Sequence, residues 1–442
     1  MTDHPSRKLY GKQTALAKEN FPISGWTMPQ ELLSALALIK KHAATVNGDL
    51  KIIPKATARA IAVAAQQVIA GKYADQFPVD VFQTGSGTST NMNMNEVLAS
   101  LASTPRRRVH PNDDVNRCQS SNDTIPSAIQ IACVLKVRDD LLPALAGLQK
   151  TLEKKAAEFH PIVKTARTHL MDAVPVRLGD EFAAFAALVE KSMEILKQAQ
   201  HSLCALPLGG TAAGTGTNAH PRFAKLTIAG MRKETRLALT EAKEHISAQS
   251  CPLVLPELSG ALRLLGSALS KIANDIRWMG SGPVAGLNEL TLPPLQAGSS
   301  IMPGKVNPVL CESVMQVSMY VQGADATVQA AMREGSAFEM NTAYPVMAQS
   351  LIMSLRLLTN VTRSFDKKCV AGIKTNVEVI RARNERNPML ATALAPVIGY
   401  DRAAAIAKEA MRRNQTIFEV AKRLTKIPEK ELRALLSPKK MV

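Results

Sequence analysis

The feature of this 442-residue sequence that most constrains its fold is a long stretch without glycine or proline, from Asp180 to Leu206. Within it, apolar residues recur three or four positions apart, at Phe182, Phe185, Val189, Met193 and Leu196. This spacing places all of them on one face of an α-helix. Similar patterns over 257–280 and 309–333 predict further long helices. Long helices with one apolar face favour a helix bundle.

The pattern divides the chain into three parts. Residues 1–118 mix short helical stretches with turns, 119–376 carry the long helices, and 377–442 form a smaller helical tail, whose helices are expected over 401–413 and 416–424. Aromatic residues make up only 4% of the sequence, and helix-forming residues are plentiful. We therefore predict a mainly α protein with these three domains. Pairing such long helices between subunits is an economical way to bury them, so we expect an oligomer.

Composition narrows the class of protein. No uninterrupted apolar stretch is long enough to cross a bilayer, and the polar start MTDHPSRKLYG lacks the apolar core of a signal peptide, so a cytoplasmic protein is expected. The six cysteines form no CxxC pair and no zinc-finger spacing with histidine, which favours buried, reduced thiols. The net charge is +17, yet aromatic residues for base stacking are scarce. Attraction of anionic substrates is therefore favoured over specific nucleic-acid binding.

Two polar segments in the first third of the chain hold candidate binding residues. TGSGTSTNMNMNE (84–96) combines glycines that permit a tight turn with hydroxyls at an expected helix start, where free N–H groups bind anions. In the segment 106–124, Ser120 and Asp123 fit a capping box, which predicts a helix start at Ser121 or Asn122. Each segment could hold a carboxylate, although ordinary helix capping explains either one equally well.

Two later polar segments hold candidate catalytic residues. ARTHLMDAVP (166–175) contains His169, a candidate acid or base, although a lone histidine is more often structural. GSSIMPGKVNPVLCES (298–313) is predicted to be a loop followed by a helix that starts near Val309 and carries Glu312. Glycine and proline at both ends suit a lid that closes. Within this loop, Lys305 and Asn307 could stabilise a developing oxyanion.

At these segments the sequence resembles the fumarase/aspartase superfamily of lyases, and within it the class II fumarases. The resemblance rests on five motifs: TGSGT (84–88), VHPNDDVN (109–116), RTHL (167–170), LGGTAAGTGTN (208–218) and GSSIMPGKVNP (298–308). It runs from YGKQTALAKENFPIS (10–24) to the C-terminal tail and so covers nearly the whole chain.

The resemblance implies a three-domain lyase fold, with a homotetramer whose central helices form a twenty-helix core. Each active site would combine residues from three subunits, with no metal and no organic cofactor. The implied activity is reversible anti addition of water to fumarate, giving (S)-malate, a step of the tricarboxylic acid cycle. Two alternatives stay open: an aspartate ammonia-lyase or related lyase, and a retired lyase used as a structural or binding protein.

Site residues are carried over by matching motifs. Ser299 matches the family's base, and His169 matches the acid/base on the hydroxyl side, with Glu312 as its charge partner. The matched substrate-binding positions are Ser86, Gly87, Thr88, Ser120, Ser121, Asn122, Thr168, Ser300, Lys305, Val306 and Asn307. A second, non-catalytic dicarboxylate site matches Arg107, His110, Pro111, Asn112 and Asp113. Tyr344 departs from the family's pattern, in which lysine or an apolar residue is common.

Overall fold

The computed structural model describes residues 8–442, so the first seven residues of the polar start lie outside the description. The helices are α1 (Lys12–Asn20), α2 (Gln30–Asp49), α3 (Lys55–Ile69), α4 (Thr88–Ala102), α5 (Ser121–Lys136), α6 (Leu142–Phe159), α7 (Leu178–Ser202), α8 (Phe223–Thr235), α9 (His245–Ser250), α10 (Val254–Met279), α11 (Val309–Gly335), α12 (Tyr344–Lys368), α13 (Val377–Glu385), α14 (Ala395–Ile398), α15 (Tyr400–Arg413), α16 (Ile417–Leu424) and α17 (Glu429–Leu435).

Strands are few and short in the described range. They are β1 (Val163–Thr168), β2 (Met171–Arg177), β3 (Ala205–Leu206), β4 (Thr240–Glu241), β5 (Leu290–Thr291), β6 (Ser336–Ala337), β7 (Met340–Asn341) and β8 (Lys374–Thr375). They pair as β1–β2, β3–β4, β5–β8 and β6–β7, and only β3–β4 is parallel. The prediction of a mainly α protein is confirmed.

The long helices form where the apolar stripes predict them. Helix α7 buries its whole predicted stripe, from Phe182 to Leu196, with no stripe residue more than 8% exposed. Helices α10 and α11 cover the patterns at 257–280 and 309–333, and α15 and α16 form the predicted tail. In the N-terminal part, α2 reaches 20 residues and is longer than the short helices expected there.

Close contacts divide the chain into two compact units. The first comprises Met1–Pro143, Ser192–Gly266 and Val317–Thr359, and the second comprises Ala144–Lys191, Ser267–Gln316 and Asn360–Val442. The five boundaries fall inside helices α6, α7, α10, α11 and α12. The division into three domains at 118 and 376 stays a prediction.

In the first unit, α2 packs against α3, α5 and α8. Its buried face carries Leu32, Leu36 and Ile39, all fully buried, at the three- and four-residue spacing of a helix. Burial of each such side chain contributes about 1.5–3 kcal/mol. This core supports α4 and α5, which begin at the first two polar segments.

In the second unit, the β1–β2 hairpin lies against α13 and the turn that follows it. Asn387 Nδ2 donates to the Ala173 carbonyl at 2.8 Å, and Asn384 Nδ2 donates to the Val163 carbonyl at 3.4 Å. These amides satisfy edge carbonyls of the hairpin and fix the position of its tip, which carries His169.

Two composition-based expectations can be compared with the structure. All six cysteines are free, and all are buried except the partly exposed Cys251, as expected. Among residues 8–442, no helix combines the length and the hydropathy that a membrane-spanning segment needs.

Candidate active site

The first unit contains a polar cavity of about 400 Å³ at the start of α4 and α5. Its lining combines hydroxyl and amide side chains from α4, from residues 112–121 and from residues 211–218. Four predicted site residues line it: Thr88, Asn112, Ser120 and Ser121. This volume is suited to a small ligand, and the lining is rich in hydrogen-bonding groups.

A chain of hydroxyls connects the two polar segments beside this cavity. Ser86 Oγ lies 2.6 Å from Thr88 Oγ1, which in turn lies 2.8 Å from Ser121 Oγ. Gly87 makes the turn possible, because it precedes α4 with a left-handed φ of 75°. A Cβ on Gly85 would lie 2.1 Å from the Thr342 carbonyl oxygen, so only glycine fits there.

Helix α5 begins at Ser121, as the capping box predicted. Ser120 Oγ accepts the Asn122 N–H at 3.2 Å, and the Asp123 carboxylate accepts the Ser120 N–H at 2.9 Å. The fully buried Asp123 also accepts the N–H groups of Gly209 and Thr211, at 3.0 and 3.1 Å. Burial raises the pKa of Asp123, and these N–H groups oppose that rise. Asp123 therefore ties the glycine-rich loop to the helix start.

Asn122, also predicted to bind substrate, points its amide at the same loop. Its Nδ2 donates to the Ala212 carbonyl at 2.8 Å. The remaining amide hydrogen and the side-chain oxygen are still able to bind a ligand.

Of the five residues predicted for a second dicarboxylate site, Asn112 and Arg107 line cavities, and the two cavities are different. Asn112 lines the cavity described above. Arg107 donates to the Ala102 carbonyl, with Nη2 at 2.9 Å, and lines a separate cavity of about 560 Å³ together with Lys55 and Arg59. His110 Nδ1 accepts the N–H of Asp113 at 3.1 Å and caps the π-helical turn Pro111–Val115. The second dicarboxylate site stays a prediction.

In the second unit, His169 occupies the tip of the β1–β2 hairpin. Thr168 pairs with Met171, so His169 and Leu170 form a two-residue turn, with left-handed φ values of 57° and 61°. Two left-handed residues are typical of tight hairpin turns, which usually contain Asn or Gly. Using His and Leu there costs on the order of 1 kcal/mol per residue. The result is an exposed histidine on a firmly anchored strand pair.

The fourth polar segment forms a closed loop, here named the flap (residues 298–308). The Gly298 N–H donates to the Lys305 carbonyl at 2.8 Å, and Asn307 Nδ2 donates to the Gly298 carbonyl at 2.9 Å. These two hydrogen bonds are here called the flap latch. A Cβ on Gly298 would lie 2.5 Å from the Lys305 carbonyl oxygen, so the latch requires glycine at this position. Helix α11 starts at Val309, as predicted, and carries Glu312 in its first turn.

Ser299 has a distinct environment inside the flap. Its Oγ accepts the backbone N–H groups of Ile301 and Met302, both at 3.2 Å. Two donors aimed at one oxygen stabilise negative charge on it. Ser300 and Val306 are exposed on the same loop.

Three ionisable side chains of the candidate site form no polar contact within the described residues of this single chain. Within residues 8–442, the side chains of His169, Lys305 and Glu312 have no hydrogen-bond or ion-pair partner. No hydrogen bond or ion pair of the described chain joins the flap to His169. Among the same residues, no group of three or more His, Cys, Asp and Glu side chains is placed to hold a metal ion.

Tyr344, the departure from the family pattern, is fully buried at the start of α12. Its hydroxyl donates to the Gln249 carbonyl at 2.6 Å. The cavity lining does not include Tyr344. Tyr344 therefore contributes to packing. It contacts the cavity wall only indirectly, because Gln249, to which its hydroxyl donates, directs Nε2 at the carbonyls of residues 211 and 212.

Sequence reasoning missed part of the cavity wall. Asn91 and Asn95 lie one helical turn apart on α4 and line the cavity, as does Asn116. The signal was present, because asparagine is a weak helix former and two of them four residues apart create a polar helix face. Asn95 is fully buried, and neither of its polar atoms has a partner among residues 8–442. An unpaired buried amide costs about 1–3 kcal/mol, which favours a bound water or ligand beside it.

A helical fold with a hydroxyl-lined cavity and a serine-bearing flap is typical of one class of lyase, and comparison with known proteins identifies it. A family model described as "Lyase" matches residues 2–323, and one described as "Fumarase C C-terminus" matches residues 390–442. The chain belongs to this lyase family. Fumarate hydratase class II of Mycobacterium tuberculosis is 49% identical over 414 residues, which cover 93% of this chain and 87% of that protein. The counterpart of Thermus thermophilus is 44% identical and covers 99% and 95%.

Solved structures agree with this assignment. The crystal structure of class II fumarase from Schistosoma mansoni matches with a TM-score of 0.96 and 35% identity, covering 99% of this chain and 96% of that one. A fumarate lyase:delta crystallin from Brucella melitensis in native form matches with a TM-score of 0.90 and 40% identity, covering 99% and 98%. Within the lyase family, the chain therefore belongs to the class II fumarate hydratase branch, and the resemblance seen in the motifs is confirmed.

Proposed function

We propose that this protein is a fumarate hydratase, which adds water reversibly and anti to fumarate and releases (S)-malate. The observation that carries the proposal is the environment of Ser299, whose Oγ receives two backbone N–H groups in a latched flap. The membership of the class II branch supports it over the whole length of the chain.

The proton transfer explains why such a serine is needed. In the malate-to-fumarate direction, a proton leaves a carbon beside a carboxylate, where it is only weakly acidic. A neutral serine hydroxyl is a poor base in water, but N–H donors that stabilise its alkoxide in a closed site raise the fraction of serine in that form, which is the form that accepts the proton. Ile301 and Met302 supply these donors.

Loss of that proton puts a second negative charge on the substrate carboxylate. Lys305 is exposed on the flap and has no partner among residues 8–442, so its ammonium is free to approach this charge. Asn307 uses one amide hydrogen to hold the base of the flap and keeps a second for the substrate. Ser300 and Val306 are assigned to substrate binding from the same loop.

The hydroxyl side of the reaction is assigned to His169, with Glu312 as its charge partner. A histidine titrates near neutral pH, which suits a group that gives a proton to departing water and takes one from entering water. Thr168 and the hydroxyls of Ser86, Thr88, Ser120 and Ser121 are assigned to the substrate carboxylates, together with Gly87 and Asn122. The helix start at Ser121 favours a carboxylate there.

We also propose that the site forms between three subunits of a homotetramer in the cytoplasm, with a role in the tricarboxylic acid cycle. The uncommitted His169, Lys305 and Glu312 support shared sites, because charged catalytic groups normally find partners in the complete enzyme.

One assay tests the reaction. Purified protein is mixed with fumarate, and the loss of its ultraviolet absorbance is followed with and without ammonium. We expect loss without ammonium, whereas loss only with ammonium would identify an ammonia-lyase, and no loss in either case would indicate a retired lyase. In D₂O, anti addition gives one particular diastereomer of malate deuterated at C3, and either the diastereomer expected from syn addition or a mixture of the two would contradict the stereochemistry.

A further inference from the structure

Lys40 of α2 lies directly behind the wall of the polar cavity. It is fully buried, and its Nζ donates to Asn116 Oδ1 at 2.8 Å. Asn116 lines the cavity, and its own Nδ2 donates to the Gln119 carbonyl at 3.1 Å. Asn91 Nδ2 also donates to Asn116 Oδ1, at 3.2 Å. One buried ammonium therefore holds an amide that connects α4 to the segment preceding Ser120.

The charge of Lys40 has little compensation. Among the described residues, the charged group that acts on it is Asp123 of α5, which is also buried and receives three backbone N–H groups. The side chains that contact the ammonium region through Asn116 are neutral amides. Burial lowers the pKa of Lys40 to about 7, and attraction to Asp123 only partly opposes this.

A purely structural role does not account for a lysine at this position. Burial of an ammonium group is unfavourable, and attraction to Asp123 only partly offsets that cost. Helix α2 is apolar around this position, with Leu36 and Ala44 on the same face, both buried. A cavity that binds a doubly charged anion, in contrast, gains from a fixed positive charge behind its wall.

We propose that Lys40 is a positioning residue of the dicarboxylate site. It holds Asn116, and with it the segment that presents Ser120 and Ser121, and it places a positive charge behind the cavity wall. This inference rests on the proposed function, because it assumes that the cavity binds a dicarboxylate.

The test measures binding of succinate, a dicarboxylate that cannot be hydrated, by isothermal titration calorimetry. Lys40→Met is expected to weaken succinate binding about tenfold or more, the scale of one charge-assisted interaction. In the wild type, affinity should fall as pH rises through about 7, because the ammonium loses its proton there. This contribution to the pH profile should be missing in Lys40→Met.

The matched control is Lys155→Met. Lys155 is another buried lysine, 7% exposed, which donates to the Ile373 carbonyl at 2.8 Å and does not line the cavity. This variant should bind succinate like the wild type, with the same pH profile. A cooperative thermal melt of Lys40→Met, with its midpoint well above the titration temperature, separates lost binding from lost folding, because removal of the ammonium leaves the buried Asp123 without the positive charge that acts on it.

Wild-type affinity and an unchanged pH profile in Lys40→Met would overturn the proposal. If that variant does not fold, Lys40→Gln replaces it, and a wild-type affinity that is constant between about pH 6 and about pH 8 would be equally decisive against it. Absence of succinate binding by the wild type would overturn it as well. Lys40-dependent succinate binding in a protein that does not hydrate fumarate would refute the hydratase and leave the role of Lys40 standing.

Discussion

Substitution of Glu289 by glutamine should destabilise the hairpin that carries His169. Glu289 is 2% exposed and neutralises two cations, with Oε1 at 2.6 Å from Arg167 Nη2 and Oε2 at 2.8 Å from Lys164 Nζ. Both cations belong to β1, and Lys164 is almost completely buried. Burial by itself would raise the pKa of Glu289, but the hydrogen bond from Arg167 and the charge of Lys164 outweigh it and hold the pKa below its ordinary value.

The expected loss of stability depends on how well Lys164 and Arg167 are neutralised once Glu289 is replaced. Lys164 keeps Glu181 at 2.9 Å, whereas Arg167 loses the one acidic partner within ion-pair distance among residues 8–442. Breaking a buried ion pair from one side costs about 3–5 kcal/mol. Since glutamine still offers a carbonyl oxygen to Arg167, we expect about 3 kcal/mol. Because ionised Glu289 has the lowered pKa, its contribution is present above the unfolded-state pKa and is lost as pH falls through the folded-state pKa.

The assay compares urea unfolding of the wild type and Glu289→Gln at neutral pH and in acid. The difference in free energy of unfolding should be largest at neutral pH and should shrink below about pH 4. Glu334→Gln serves as control, because Glu334 is 71% exposed beside Arg333 and its loss should change stability by less than about 0.5 kcal/mol. A Glu289→Gln protein as stable as this control at neutral pH would refute the reasoning.

Three further outcomes are expected. Ser299→Ala and His169→Asn should each lower kcat for fumarate hydration by about 10²-fold or more while succinate still binds, and near-wild-type turnover in either would reject its assigned role. Gly298→Ala should lower kcat by about 10- to 100-fold, because its Cβ would lie 2.5 Å from the Lys305 carbonyl oxygen and break the Gly298–Lys305 hydrogen bond, and wild-type turnover in this variant would contradict that reasoning. If the net charge of +17 speeds capture of the dianion, kcat/KM should fall as salt concentration rises, and a flat salt profile would remove that idea.

The sequence predicted those parts of the fold whose signals are local. The stripe of α7 and the capping box at Ser120 depend on residues within one helix or one turn, and the structure confirms both. The β1–β2 hairpin was not predicted, because its His-Leu turn lacks the Asn-Gly type of signal that marks such turns. Its position depends on Asn384 and Asn387, more than 200 residues further along the chain.

The burial of Lys40 could not be predicted from the sequence, because it too depends on contacts between distant parts of the chain. Lys40 and Lys41 are adjacent in an apolar stretch, yet Lys40 is fully buried while the Lys41 side chain is 23% exposed and pairs with Glu234. The choice between them depends on which face of α2 meets α5, and that is a tertiary property. One indication of this burial was available in the sequence: Lys40 lies four residues after Leu36 and therefore on the same helix face.

The proposed assembly predicts that the surfaces of the long helices are subunit interfaces. Several large apolar side chains are exposed on these helices: Leu188, Leu264, Trp278, Met319 and Tyr320. Apolar side chains of this size on otherwise regular helices are expected at the surfaces that the proposed subunits would cover. A protein that assembles through these helices can bring the hydroxyl-lined cavity of one copy to the hairpin and flap of others. If the proposed assembly is correct, the interactions that bury these apolar side chains are also expected to supply partners for His169, Lys305 and Glu312, so that assembly and catalysis would depend on the same helices.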